Sequence, residues 1–70
     1  MKLNEVKSST ITKIGYDYET KDLHVHFTNG REYIYENVPA ETYAKFLEAD
    51  SKGQFLHAEI VGRFTYARLK

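Results

Sequence analysis

Seventy residues, none of them cysteine or tryptophan, carry ten basic and ten acidic side chains and a formal net charge of zero. A chain this short makes one domain that buries only ~60% of its unfolded surface, and without cysteine no disulfide or thiolate metal site staples it. No apolar run approaches the ~18 residues of a membrane span, the N-terminus lacks a signal-peptide core, and the missing cysteine suits a reducing cytoplasm.

A single domain over 1–70 is expected, with 1–8 and 65–70 as flexible ends. In "TITKIGYDYETKDL", Ile14 and Tyr16 share one strand face. A four-residue loop from Tyr18 to Lys21 pairs Tyr16 with Leu23 and Ile14 with Val25. Leu23, Val25 and Phe27 then alternate with His24, His26 and Thr28, the period of a half-buried strand.

Asn29-Gly30 is a turn signal with two possible uses. A two-residue turn pairs Thr28 with Arg31, turns Ile34 inward and places Tyr33 and Tyr35 outside beside the histidines. A three-residue loop, Thr28 to Gly30, puts Gly30 in the left-handed position of a bulge and pairs Phe27 with Arg31, Val25 with Tyr33, and Leu23 with Tyr35. The first register brings Glu32 and Glu36 to the apolar side, where desolvating two carboxylates is expensive. The second is therefore favoured, with both tyrosines mainly in the core. The outer face then reads Lys13, Gly15, Asp17, His24, His26, Glu32, Ile34 and Glu36.

Val38-Pro39 switches the chain from strand to helix. "AETYAKFLEA" places Tyr43, Phe46 and Leu47 on one helical face, and Glu41 in the first turn suits the helix dipole. "SKGQFLHAEIVG" reads as a second helix. Ser51 and Gln54 fit a capping box, Phe55, Leu56 and Ile60 form the apolar stripe, and Gly62 is the stop. "RFTYARLK" is either an extended arm or a fourth short strand, and an arm folding back through Phe64 is favoured. The expected fold is α+β: a three-stranded antiparallel meander with two C-terminal helices packed on one face.

The ordered set "VKSSTITKIGYD", "LHVHFTNGREYIYENVP" and "SKGQFL", followed by Ile60, Arg63, Phe64, Tyr66 and Leu69, resembles the KTSC domain family. These are small bacterial and phage domains named for the C-terminus of some lysyl-tRNA synthetases. The resemblance runs from about Val6 to Leu69, with Tyr33 and Tyr35 at the family's Tyr-x-Tyr. It implies a three-stranded sheet followed by helices, and suggests RNA binding through the fusion to a synthetase. Tyr18 stands where relatives often have proline, and Ile34 where they are often polar or charged.

Charge is uneven along the chain: residues 1–50 hold six Lys/Arg against nine Asp/Glu, and residues 51–70 hold four against one. The basic segment carries the candidate nucleic-acid contacts. Ser51, Lys52 and Gly53 open the second helix, Arg63 and Arg68 could pair with phosphates, and Tyr66 could stack on an unpaired base. The structural alternative is that Ser51 merely caps the helix and Gly53 merely lets it approach the sheet.

His24 and His26 could chelate a cation with Glu32, but Lys13 opposite His26 repels one, so no metal is expected. Ser8, Ser9 and Thr10 have no histidine placed as a base, and His57 lies on the second helix, so no catalytic residue or cofactor is assigned and no enzymatic activity is expected. The favoured reading is a small binding module, monomer or weak homodimer, for RNA or another single-stranded nucleic acid through residues 51–68. The alternative is a protein-interaction module acting through a sheet edge, with the Tyr33–Tyr35 strand as one free edge, or through the outer sheet face.

Overall fold

The computed structural model describes residues 3–70. It contains an antiparallel sheet of five strands in sequential order: β1 (Leu3–Glu5), β2 (Ile11–Asp17), β3 (Asp22–Phe27), β4 (Glu32–Tyr35) and β5 (Tyr66–Arg68). Between β4 and β5 come α1 (Ala40–Glu48) and α2 (Lys52–Phe55), the latter running on into one turn of π-helix at Leu56–Ile60.

The central meander follows the side-chain alternation. Ile14 pairs with Val25, Tyr16 with Leu23, Val25 with Tyr33 and Leu23 with Tyr35. Gly30 takes φ +89°, and the Phe27 N–H donates to the Arg31 carbonyl at 2.8 Å, so the three-residue loop is the one formed. Tyr35 is 3% exposed while Glu36 reaches solvent, as the desolvation argument requires.

Ile11 and Ile14 are both fully buried, yet they are three residues apart and strict alternation would place them on opposite faces. A bulge at Thr12 absorbs the extra residue: Ile11 pairs with Phe27 and Lys13 with His26. The Thr12 hydroxyl donates to the His26 carbonyl at 3.2 Å across the irregularity.

Expectation is corrected at the edges of the sheet. The sheet has five strands rather than three. β1 lies against β2, pairing Leu3 with Gly15 and Glu5 with Lys13, and the C-terminal arm is the strand β5, pairing Tyr33 with Arg68 and Tyr35 with Tyr66. The outermost described strands are therefore β1 and β5, and β4 is bonded on both sides. Both added strands are three residues long, too short to show a period of two, and what recruits them is the open backbone row of β2 and β4. Strands thus occupy parts of both segments expected as flexible ends; residues 1 and 2 of the first lie outside the described residues.

The helices cover the inner face. Tyr43 and Phe46 are buried under α1, but Leu47 remains 41% exposed, so the helix presents a narrower stripe than its spacing suggests. Tyr16 donates its hydroxyl to the Val38 carbonyl and stacks on Tyr43 with centroids 4.9 Å apart, which locks the entry of α1 onto β2. Ser51 Oγ accepts the Gln54 N–H at 3.3 Å. The Val61 N–H donates five residues back, to the Leu56 carbonyl at 2.8 Å, which closes the wider π-turn. Leu56 and Ile60 stay buried, His57, Ala58 and Glu59 face outward, and Gly62 ends the helix at φ +84°.

Candidate functional site

The helical cover is uneven. Ile11, Ile14, Leu23 and Val25 on β2 and β3 are sealed, whereas Tyr33 is half-buried and Tyr66 is 59% exposed. The inner face of β4 and β5 therefore forms one wall of a groove of about 270 Å³, and Leu56, His57, Val61 and Gly62 form the other. Four rings line it. Phe27 meets Tyr33 edge-on at 5.4 Å, Tyr66 stacks on Tyr33 at 5.2 Å with an interplanar angle of 16°, and Tyr35 lies 5.7 Å from Tyr66. Flanked by Tyr33 and Tyr35 and still 59% exposed, Tyr66 is the ring of the four most open to a flat partner. Burial, aided by the neighbouring Tyr33 and Tyr66, pushes the Tyr35 phenol above its ordinary pKa.

Asn29 and Arg31 line the groove from the β3–β4 loop. Asn29 Oδ1 accepts the Arg31 N–H at 3.0 Å, an Asx turn that fixes the backbone beneath the guanidinium. Within hydrogen-bonding and stacking chemistry, such a groove can hold a flat ring against Tyr66 and an anion near Arg31.

The residues nominated from sequence divide. Tyr66 lines the aromatic groove. Arg68 pairs with Tyr33 and so shares the inner face, two residues from Tyr66, with its Nε donating to the Lys70 carbonyl at 3.4 Å. Arg63 is exposed in the turn after Gly62. Ser51 and Gly53 instead border a second, wider groove with Ser9, Thr10, Gln54, His57 and Ala58. Ser51 serves as the cap, and Lys52 Nζ donates to the Ala49 carbonyl at the end of α1 at 2.5 Å. A Cβ on Gly53 would come within 2.9 Å of Thr10 Oγ1, so this glycine lets α2 lie close to the chain just before β2.

A KTSC domain model matches residues 7–64. The chain belongs to the KTSC domain family. It is 45% identical over 53 residues to an uncharacterised protein of Stutzerimonas stutzeri, covering 76% of this chain and 75% of that one. A protein of Tsukamurella paurometabola is 39% identical over 51 residues, covering 73% and 76%. The crystal structure of a KTSC domain protein from Yersinia pestis superposes with a TM-score of 0.93 at 34% identity, over 99% of this chain and 97% of that one.

In this KTSC domain, sequence reasoning passed over Phe27, Asn29, Arg31 and Val61 as groove residues. Arg31 lies outside the basic 51–70 segment, and only the pairing of β4 with β5 brings it near Tyr66. On the outer face, His26 Nε2 stands 3.7 Å from Glu32 Oε1, as their register dictates. Among the described residues no group of three His, Cys, Asp or Glu is placed to hold a metal ion, and no helix is long and apolar enough to cross a membrane.

Proposed function

We propose that this KTSC domain is a non-enzymatic module that binds single-stranded RNA, or a similar single-stranded nucleic acid, by stacking an unpaired base on Tyr66. One observation carries the reading: a stacked Tyr33–Tyr66 pair stands at the mouth of an aromatic groove whose one formally charged lining residue is Arg31. Bases of any identity stack on such a platform, and cationic side chains hold the phosphates beside it. Arg68, Arg63 and Lys52 are the further basic candidates from the sequence, with Ser51 and Gly53 bordering the neighbouring groove. A chain without cysteine suits work in a reducing cytoplasm.

The test is fluorescence anisotropy with labelled octauridylate and octaadenylate. Tyr66→Ala is expected to weaken binding by about 1–3 kcal/mol, the worth of one base–aromatic stack. Arg31→Glu and Arg63→Glu should weaken it further while circular dichroism stays unchanged. Equal binding by wild type and all three variants would remove the reading.

A protein-interaction role is the second reading. The free side of β5, beside Leu69 at 56% exposure, is an edge that a partner strand or a second copy could extend. Light scattering over a concentration series, with and without RNA, separates the two: dimers that ignore RNA favour the edge.

A further inference from the structure

We infer that the two grooves form one continuous track for an extended RNA strand, with His57 as the saddle between them; this rests on the RNA reading above. His57 lines both grooves, and the π-turn that carries it holds the imidazole outward while Leu56 and Ile60 anchor the same turn in the core. The aromatic groove, at about 270 Å³, is smaller than the ~300–1,000 Å³ typical of sites for drug-sized ligands, and so takes one or two flat rings. A longer strand has to leave it, and the exit over His57 leads into the second groove.

That second groove has the complementary chemistry. Its walls carry the hydroxyls of Ser9, Thr10 and Ser51 and the carboxamide of Gln54, and beyond the shared His57 no aromatic ring. Ser51 Oγ accepts the Gln54 N–H, which leaves its own hydroxyl proton to donate. Donors of this kind suit phosphate and ribose oxygens and not base faces. Although the chain has ten acidic residues, none lines either groove among the described residues. A polyanion crossing from one to the other therefore meets Arg31, His57 and neutral donors, and no wall carboxylate.

The experiment compares uridine 5′-monophosphate, diuridylate and octauridylate on the full chain, by calorimetry, using Ala58→Glu and Ala58→Lys. Ala58 is exposed in the second groove, and both replacements are good helix formers. Octauridylate is expected to bind about tenfold or more tighter than diuridylate, since the second groove adds a linked contact. Ala58→Glu should weaken octauridylate about fivefold and Ala58→Lys should strengthen it, while diuridylate affinity stays fixed. If octauridylate binds no tighter than diuridylate, or if the Ala58 variants leave it unchanged or shift both ligands equally, the track is overturned while the Tyr66 site stands. If no ligand binds at all, the RNA reading falls and the track with it.

Discussion

Gly30 at φ +89° and Lys21 at φ +64° occupy the same left-handed region in the loops at opposite ends of β3. Only glycine does so without steric cost. Gly30→Ala is expected to lower stability by about 1–2 kcal/mol, and Lys21→Gly to raise it by somewhat less, since glycine also loosens the unfolded chain. Urea denaturation of the pair checks both signs. The tyrosines add a pH dependence. Tyr16, Tyr35 and Tyr43 all have phenol pKa values raised, in each case chiefly by burial. Their folded-state pKa values lie above those of the unfolded chain, so their contribution is complete below the ordinary phenol value of about 10 and is lost as pH rises through the folded values. Stability from urea midpoints should hold at pH 8 and fall between pH 10 and 11. At the acid end, the N–H groups of Thr20 and Glu19 hold the Asp17 carboxyl below its usual range. Asp17→Asn keeps the acceptor but removes the titration, and should flatten the loss of stability below about pH 4.

Among the elements, β5 links fold and candidate site. It completes the ladder on β4, with the Glu36 N–H donating to the Thr65 carbonyl at 2.8 Å and the Leu69 N–H to the Glu32 carbonyl at 2.7 Å, and it brings Tyr66 onto Tyr33. Removing residues 65–70 should expose the edge of β4 together with the half-buried Tyr33. The expected outcomes are a lower melting temperature, concentration-dependent association in sedimentation, and loss of octauridylate binding. A truncated chain that stays monomeric and binds RNA as before would show that β5 has neither role. The bulge at Thr12 belongs to this scale too. Two isoleucines three apart in "ITKI" hint at it, but a short run of this kind reads equally as helical spacing, so only the pairing with β3 decides.

For the whole molecule, zero net charge hides a segregation. Asp17, Asp22, Glu32 and Glu36 outnumber Lys13 on the outer sheet face, while Arg31 lines the inner groove and Arg68 shares its face. If the domain binds RNA as proposed, its affinity should show strong salt dependence despite the zero net charge. The slope of log affinity against log salt should approach about −0.7 for each phosphate held, and Arg31→Gln should make it shallower by about one such step. Octauridylate affinities between 50 and 200 mM potassium chloride, about the range over which phosphate contacts show clearly, give the slope.

The meander register, the burial of Tyr35, the Ser51 cap and the Gly62 stop were legible in the residues, because each rests on a local rule: alternation, carboxylate desolvation, or backbone conformation near a turn. The recruitment of Leu3–Glu5 and Tyr66–Arg68 as edge strands was not, because three residues carry no period and their partners lie far along the chain. The candidate site was legible in part for the same reason. Tyr66 stood out by type, but Phe27 and Arg31 become its neighbours only through β3, β4 and β5 lying side by side. The sequence by itself determined which side chains of the central meander face inward, apart from Ile11 at the bulge. Only the tertiary structure decided where the helical cover stops, because two short helices cannot span five strands, and the aromatic rings left at that margin are what forms a groove.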